Sequence, residues 1–239
     1  VTRLITFDLD NTLWDVEPVI VRADQAMFHW FEDRFPGFNQ AFDQAALFKL
    51  KQQLLEDSSA LRADISRLRV EVYRVALQDF GLPKEEAALV AQSAFDYFHE
   101  WRQKVDLYPG TKKVLWQLAN HYRLAVITNG NADVFHPDVG LSDSFEFAVR
   151  ADKEGIAKPN ADIFLKTAEL AGVDVSNLIH VGDNVHDDVN GINQVGGRSI
   201  WFNRHGARRW QDKWPSRPDA EVHALEELPE VIADMIAQN

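Results

Sequence analysis

Arg3-Leu4-Ile5-Thr6-Phe7-Asp8-Leu9-Asp10-Asn11-Thr12 is the stretch on which the fold turns. Its first five residues are almost continuously apolar, the pattern of a short strand buried on both faces of a sheet rather than of a strand with one wet side. Two carboxylates, Asp8 and Asp10, follow at once. Parallel α/β sheets hold their ligands just beyond the carboxyl ends of their strands, so polar residues in that position are candidates for chemistry.

Further along the chain the texture becomes helical. Between Val16 and Lys104, apolar residues recur at three- and four-residue spacing, as in Val19, Val21, Ala26, Phe28, Trp30 and Phe31, then Ala45, Leu47, Phe48, Leu50, Leu54 and Leu55. Leu61 to Phe80 and Lys84 to Trp101 repeat the pattern, and Pro36-Gly37, Asp57-Ser58-Ser59 and Gly81-Leu82-Pro83 break it, which predicts about four helices and no strand. After Tyr108-Pro109-Gly110 strands and helices alternate. The predicted strands are Arg123 to Thr128, Phe145 to Val149, Leu178 to Val181 and Arg198 to Phe202. The predicted helices are Thr111 to Tyr122, Ala161 to Ala171, Val185 to Val195 and Leu225 to Ile236. Such alternation predicts an α/β fold, a Rossmann-like doubly wound parallel sheet. Residues 1–15 and 105–239 form the expected core, and 16–104 form an all-helical insertion after the first strand.

Three more strand or helix ends carry polar clusters. Thr128-Asn129-Gly130 follows one strand, Lys158-Pro159 precedes a helix, and Gly182-Asp183-Asn184-Val185-His186-Asp187-Asp188 follows another strand. Each is ambiguous alone. Thr128 could be a helix cap, Asn129-Gly130 a turn, Lys158 a surface cation, and Asp187 and Asp188 acids that favour a helix start. His186 reads as a solvated loop histidine, because a hard oxygen-loving ion is not a natural partner for imidazole.

Taken in order, these elements resemble the four motifs of the haloacid dehalogenase superfamily: a DxDxT at Asp8 to Thr12, a threonine after the second strand, a Lys-Pro and a GDxxxxD. The helical insertion occupies the position of that superfamily's first type of cap domain. The stretch from Phe7 to Asp15 with Pro18-Val19-Ile20 looks like the branch that includes flavin mononucleotide and sugar-phosphate phosphatases. The resemblance implies a magnesium-dependent phosphatase acting on a small phosphate monoester, nucleotide-like or a sugar phosphate. Asp8 would be the nucleophile that forms an aspartyl-phosphate, and Asp10 the acid and then the base. Thr128, Asn129 and Lys158 would hold the phosphoryl group. Asp8, Asp183, Asp188 and the backbone carbonyl of Asp10 would hold Mg²⁺, with Asp187 a second candidate beside Asp188. Elementary electrostatics agrees: two like charges about 4 Å apart repel by about 4 kcal/mol at an effective dielectric near 20, so clustered carboxylates require cations.

Composition narrows the rest. A net charge of −12 and a pI near 5.1 disfavour a polyanionic partner, so no nucleic acid is expected, and the Arg-rich stretch Trp201 to Trp214 is expected to pack with the C-terminal helix against the sheet instead of stacking on bases. With no cysteine there is neither a disulfide nor a thiolate nucleophile, and no apolar run is long enough for a membrane span, so a cytoplasmic protein is expected. Three rival functions remain in view. A 2-haloacid dehalogenase generally lacks the second aspartate, a phosphomutase would keep every motif, and a non-catalytic phospho-ligand module would have lost the nucleophile or the acid.

Overall fold

The computed structural model describes residues 3–238, so positions 1, 2 and 239 of the expected core lie outside the described residues. Six strands form one all-parallel sheet: β1 (Leu4–Phe7), β2 (Arg123–Thr128), β3 (Phe147–Arg150), β4 (Leu178–Gly182), β5 (Arg198–Phe202) and β6 (Ala220–Val222). Their spatial order is β3-β2-β1-β4-β5-β6, the doubly wound order in which β1 lies at the reversal of the winding direction. Every residue of β1 and of β4 is buried, as expected of nearly continuous apolar runs, and Thr6 and His180 are their buried polar members.

The chain divides into two compact units, one made of residues up to Asp15 with those from Asp106 onward, the other of Val16–Val105. The second unit is helical: α1 (Val16–Arg34), the single turn α2 (Phe38–Ala41), α3 (Gln44–Asp57), α4 (Ile65–Phe80) and α5 (Lys84–Arg102). Its interior is aromatic, with Phe31 stacked on Phe38 at 4.4 Å and edge-on to Tyr73 at 5.2 Å. The helix predicted from Leu61 starts later. The Asp64 side chain accepts the Arg67 N–H and caps α4 at Ile65, which leaves Leu61 in a 3₁₀ turn. Val21, read as part of the apolar stripe of α1, is exposed, and the buried positions are Val19, Ala23, Met27, Trp30 and Phe31.

In the first unit, α6 (Thr111–Ala119), α7 (Ala151–Glu154), α8 (Ala161–Ala171), α9 (Gly191–Asn193) and α10 (Leu228–Ala237) flank the sheet. Ile163, Phe164 and Ala168 of α8 pack with Ile192 on Leu4, Ile127 and Leu178. Two predictions need correcting. The helix expected from Val185 to Val195 is a wider π-helical turn, Val185–Asn190, followed by the short α9, because Asn184 accepts both His186 and Asp187 N–H groups and opens the first turn. Trp201, Trp210 and Trp214 do not pack with the C-terminal helix, which rests on α6. They form an edge-to-face cluster against Val185 and Val189 of the π turn. The short strand β6 and the single turn α7 carried no apolar run long enough to predict them.

Candidate active site

The carboxyl ends of β1, β2 and β4 converge on Lys158. Its ammonium group lies 2.7 Å from Asp8 Oδ1, 2.6 Å from Asp188 Oδ1 and 2.9 Å from the Ile127 carbonyl, which uses all three of its N–H donors. The lysine backbone is clamped in turn. Asn129 Oδ1 accepts the Lys158 N–H at 2.8 Å and Asn129 Nδ2 donates to the Lys158 carbonyl at 2.9 Å. The amide side chain of Asn129 is thus occupied in fixing Lys158, which leaves its backbone N–H as the group to meet a phosphoryl oxygen. Beside it the Thr128 hydroxyl accepts the Gly130 N–H at 3.0 Å and keeps its own proton to give.

Asp188 has donors on both oxygens. Oδ1 accepts from Lys158 and from His180 Nε2 at 3.1 Å, and Oδ2 accepts the Asn184 N–H at 2.9 Å. The π turn brings Asp188 back over the end of β4, so close to Gly182 that a Cβ there would sit 2.2 Å from its carboxyl carbon. Glycine is needed at 182 for this approach, not for an unusual backbone angle. Asp187 points elsewhere, bonded to His186 at 2.9 Å, and His186 is mostly exposed.

Asp8 and Asp183 are less well served. Asp8 Oδ1 meets Lys158, while Oδ2 receives no hydrogen bond among the described residues. Asp183 has the Arg208 guanidinium 3.5 Å from its carboxylate, and its backbone carbonyl accepts from Trp201 Nε1 at 2.9 Å. Oxygens of Asp8, Asp183 and Asp188 lie within 4.8 Å of one another. The Asp10 carboxylate stands apart from that group and accepts from Trp14 Nε1 at 2.8 Å, across a turn in which Asn11 takes a left-handed φ of 62°.

The electrostatics divides these acids. Burial pushes the Asp8 carboxyl up, Lys158 pulls it back, and Asp188 pushes it up again, so the net direction is upward. Burial, with the Asp188 charge, pushes Asp183 up to about 7 against the pull of Arg208 and Lys158. Asp188 is held below the usual carboxylate range, since Lys158 and His180 outweigh its burial. Lys158, bonded to Asp8 and Asp188, and Arg208, 3.5 Å from Asp183, therefore face three carboxylates and leave the group short of positive charge. An all-oxygen group with that deficit fits a hard divalent cation.

Sequence reading missed His180 and the role of Arg208. His180 was signalled by a ring nitrogen placed in the otherwise apolar β4, on the face that Gly182 shares. Arg208 gave no local signal, because its approach to Asp183 depends on how the loop after β5 folds back: Asn203 Oδ1 accepts the Arg208 N–H at 2.9 Å and Asn203 Nδ2 donates to its carbonyl at 2.7 Å.

Comparison with known proteins bears on this geometry. Residues 2–196 match the family described as haloacid dehalogenase-like hydrolase. The chain is 35% identical over 231 residues, 95% of each protein, to the 5-amino-6-(5-phospho-D-ribitylamino)uracil phosphatase YigB of Escherichia coli strain K12. It is 30% identical to the glyceraldehyde 3-phosphate phosphatase of Pyrococcus furiosus, over 96% of this chain and 92% of that one. Among solved structures, a 2-haloacid dehalogenase from Pseudomonas syringae pv. Tomato superposes with a TM-score of 0.90 at 39% identity, over 98% of this chain and all of that one.

Proposed function

The chain belongs to the haloacid dehalogenase-like hydrolases, and we propose that it is a magnesium-dependent phosphatase of small phosphate monoesters, nucleotide-like or sugar phosphates. The observation that carries this reading is the charge deficit around Lys158: Asp8, Asp183 and Asp188 gather where Lys158 and the more exposed Arg208 do not neutralise all three. A dehalogenase attacking carbon has no use for such a deficit, and Asp10, the second aspartate, stands in place two residues after Asp8. The relatives named as phosphatases support the same choice, and the ribitylamino-uracil phosphate named for one of them is a nucleotide-like monoester.

Asp8, Asp183, Asp188 and the Asp10 carbonyl would hold Mg²⁺. When bound, the ion supplies charge neutralisation for the carboxylates and the phosphoryl oxygens. The chain's own residues do the rest. Asp8 attacks phosphorus through its unbonded Oδ2, and the ester P–O bond breaks as the aspartyl-phosphate P–O bond forms. Asp10 gives its proton to the departing alkoxide, then takes one from the water that splits the intermediate and restores Asp8. The Thr128 hydroxyl donates to a phosphoryl oxygen, and Lys158, backed by Asn129, stays beside the nucleophile. To the helical unit we assign the role of the family's cap, selecting the leaving group.

The test is a screen of phosphomonoesters, including 5-amino-6-(5-phospho-D-ribitylamino)uracil, with Mg²⁺ or chelator, using wild type and Asp8→Asn. Turnover confined to wild type with metal supports the reading, and full metal-dependent turnover by Asp8→Asn removes Asp8 as nucleophile. A second reading is favoured by the high likeness to the Pseudomonas 2-haloacid dehalogenase, and halide release from 2-haloacids in chelator would select it instead.

A further inference from the structure

We propose that His180 is a positioning residue for this reaction, donating from Nε2 to Asp188 Oδ1 so that Asp188 and Lys158 are held in register with Asp8. The inference rests on the function proposed above. His180 lies on β4 directly opposite Thr6 of β1 in the parallel register, and both side chains are fully buried. The Thr6 hydroxyl is 2.8 Å from His180 Nδ1, and His180 Nε2 is 3.1 Å from Asp188 Oδ1. The ring stands edge-on to Phe164 of α8, with centroids 5.3 Å apart, which fixes its plane.

With a neutral imidazole the network leaves one arrangement of protons. Asp188 Oδ1 already accepts from Lys158 and can offer Nε2 only an acceptor, so Nε2 carries the hydrogen. Nδ1 is then the acceptor, and the Thr6 hydroxyl donates to it in preference to the Ile179 carbonyl at 3.4 Å. A continuous chain results: Thr6 to His180, His180 to Asp188, Asp188 to Lys158 and Lys158 to Asp8, with steps of 2.8, 3.1, 2.6 and 2.7 Å. An apolar residue would fill this site with less desolvation if packing were the whole purpose. What the imidazole adds is a second donor on the oxygen that Lys158 shares. Together with the Asn184 N–H on Oδ2, that donor keeps Asp188 from rotating, with Lys158 2.7 and 2.6 Å from Asp8 and Asp188. Partners of this kind typically affect metal affinity or activity by about 10–100-fold.

The experiment compares wild type, His180→Leu, His180→Gln and Thr6→Val. Gln can present an amide N–H at about the reach of Nε2, whereas Leu keeps volume without a donor. We measure kcat and KM on p-nitrophenyl phosphate, Mg²⁺ binding by calorimetry without substrate, and thermal unfolding. His180→Leu is expected to lower kcat by about 10–100-fold with KM changed less than about threefold, and to weaken Mg²⁺ binding about tenfold. His180→Gln is expected to recover most of both losses while unfolding at a similar temperature to His180→Leu. Thr6→Val, which loses only the outer donor, should lose about threefold in kcat. If His180→Leu does not fold, the Gln and Val variants decide alone. The idea is overturned if His180→Leu keeps kcat and Mg²⁺ affinity within threefold of wild type, or if Gln rescues nothing. A wild type that binds Mg²⁺ but hydrolyses no phosphomonoester defeats the phosphatase reading only, because calorimetry still reports whether His180 acts through Asp188.

Discussion

Two cations that pair with carboxylates, Lys158 buried and Arg69 half-buried, are treated differently. Lys158, at the ends of β1, β2 and β4, is 2% exposed and faces Asp8 and Asp188 directly, with Asp183 close behind. Arg69, inside the helical unit, meets one carboxylate, Asp24, at 2.9 Å, the Tyr73 hydroxyl at 3.1 Å and the face of Phe98 at 3.6 Å. The second group is balanced and supplemented by an aromatic ring. The first carries surplus negative charge, which disfavours the folded metal-free chain. An uncompensated cluster kept in a core is the signature of a site that trades stability for function, whereas a compensated one needs no ligand to explain it.

The largest effect that would sharpen this contrast is expected from Asp8→Asn. Removing the nucleophile should lower kcat by about a thousandfold or more, the order seen when single members of a catalytic unit are deleted. The same change removes one of the crowded charges, so the metal-free variant should unfold at or above the wild-type temperature. An Asp8→Asn protein that lost both activity and stability would place Asp8 among the structural acids and erase the difference between the two regions.

Gly182→Ala comes next. Its new Cβ would fall 2.2 Å from the Asp188 carboxyl carbon, so Asp188 must shift and take Lys158 with it. A loss of about 10–100-fold in kcat is expected, read by steady-state kinetics beside a circular dichroism spectrum close to that of wild type. Unchanged kinetics would mean that the π turn yields freely and that the orientation of Asp188 is not important.

A smaller effect distinguishes the pocket through pH. Asp183 is raised from 3.8 to about 7 by burial, and Asp8 is raised too, so both bind protons more tightly folded than unfolded. Their contribution favours the metal-free fold below about pH 4, and the share of Asp183 is lost as pH climbs through about 7, with a slope of at most about 1.4 kcal/mol per pH unit for each proton. Asp188, whose pKa is lowered, acts in the opposite sense and loses its contribution only in strong acid. Chelated protein should therefore unfold at a higher temperature at pH 5.5 than at pH 8. Mg²⁺ should stabilise most at pH 8, because it binds the deprotonated carboxylates. Calorimetric scans showing no pH dependence in chelator would contradict the charge surplus.

How far this contrast could be read from sequence depends on the range of the interactions. The sheet was legible because β1, β4 and β5 are mostly apolar runs, and the acids were legible because they stand at the strand ends. Asp188 could not be separated from Asp187, since the choice is made by a π turn that Asn184 opens. An α-helical repeat would place the two acids differently about the axis. His180, Arg208 and the Trp201 cluster were misread or missed because their partners are supplied across strands or by a returning loop. The position of Asp10 was legible, whereas its hold on Trp14 depends on Asn11 taking a left-handed φ, which no periodicity encodes.

The mildest test addresses the balanced region. Arg69→Met keeps most of the side-chain volume but removes the ion pair with Asp24, the bond to Tyr73 and the contact with Phe98. Asp24 is left partly exposed, with Lys51 near enough to lend charge, so the loss stays below that of a fully buried broken pair. A destabilisation of about 1–3 kcal/mol is expected in denaturant melts, with kcat on a small phosphomonoester such as p-nitrophenyl phosphate within about threefold of wild type. Stability and activity then move apart in the opposite direction from Asp8→Asn. If Arg69→Met instead left the melt unchanged and raised KM selectively for one anionic substrate, Arg69 would be a recognition group, and its balanced surroundings would be a resting arrangement from which Asp24 is displaced by ligand.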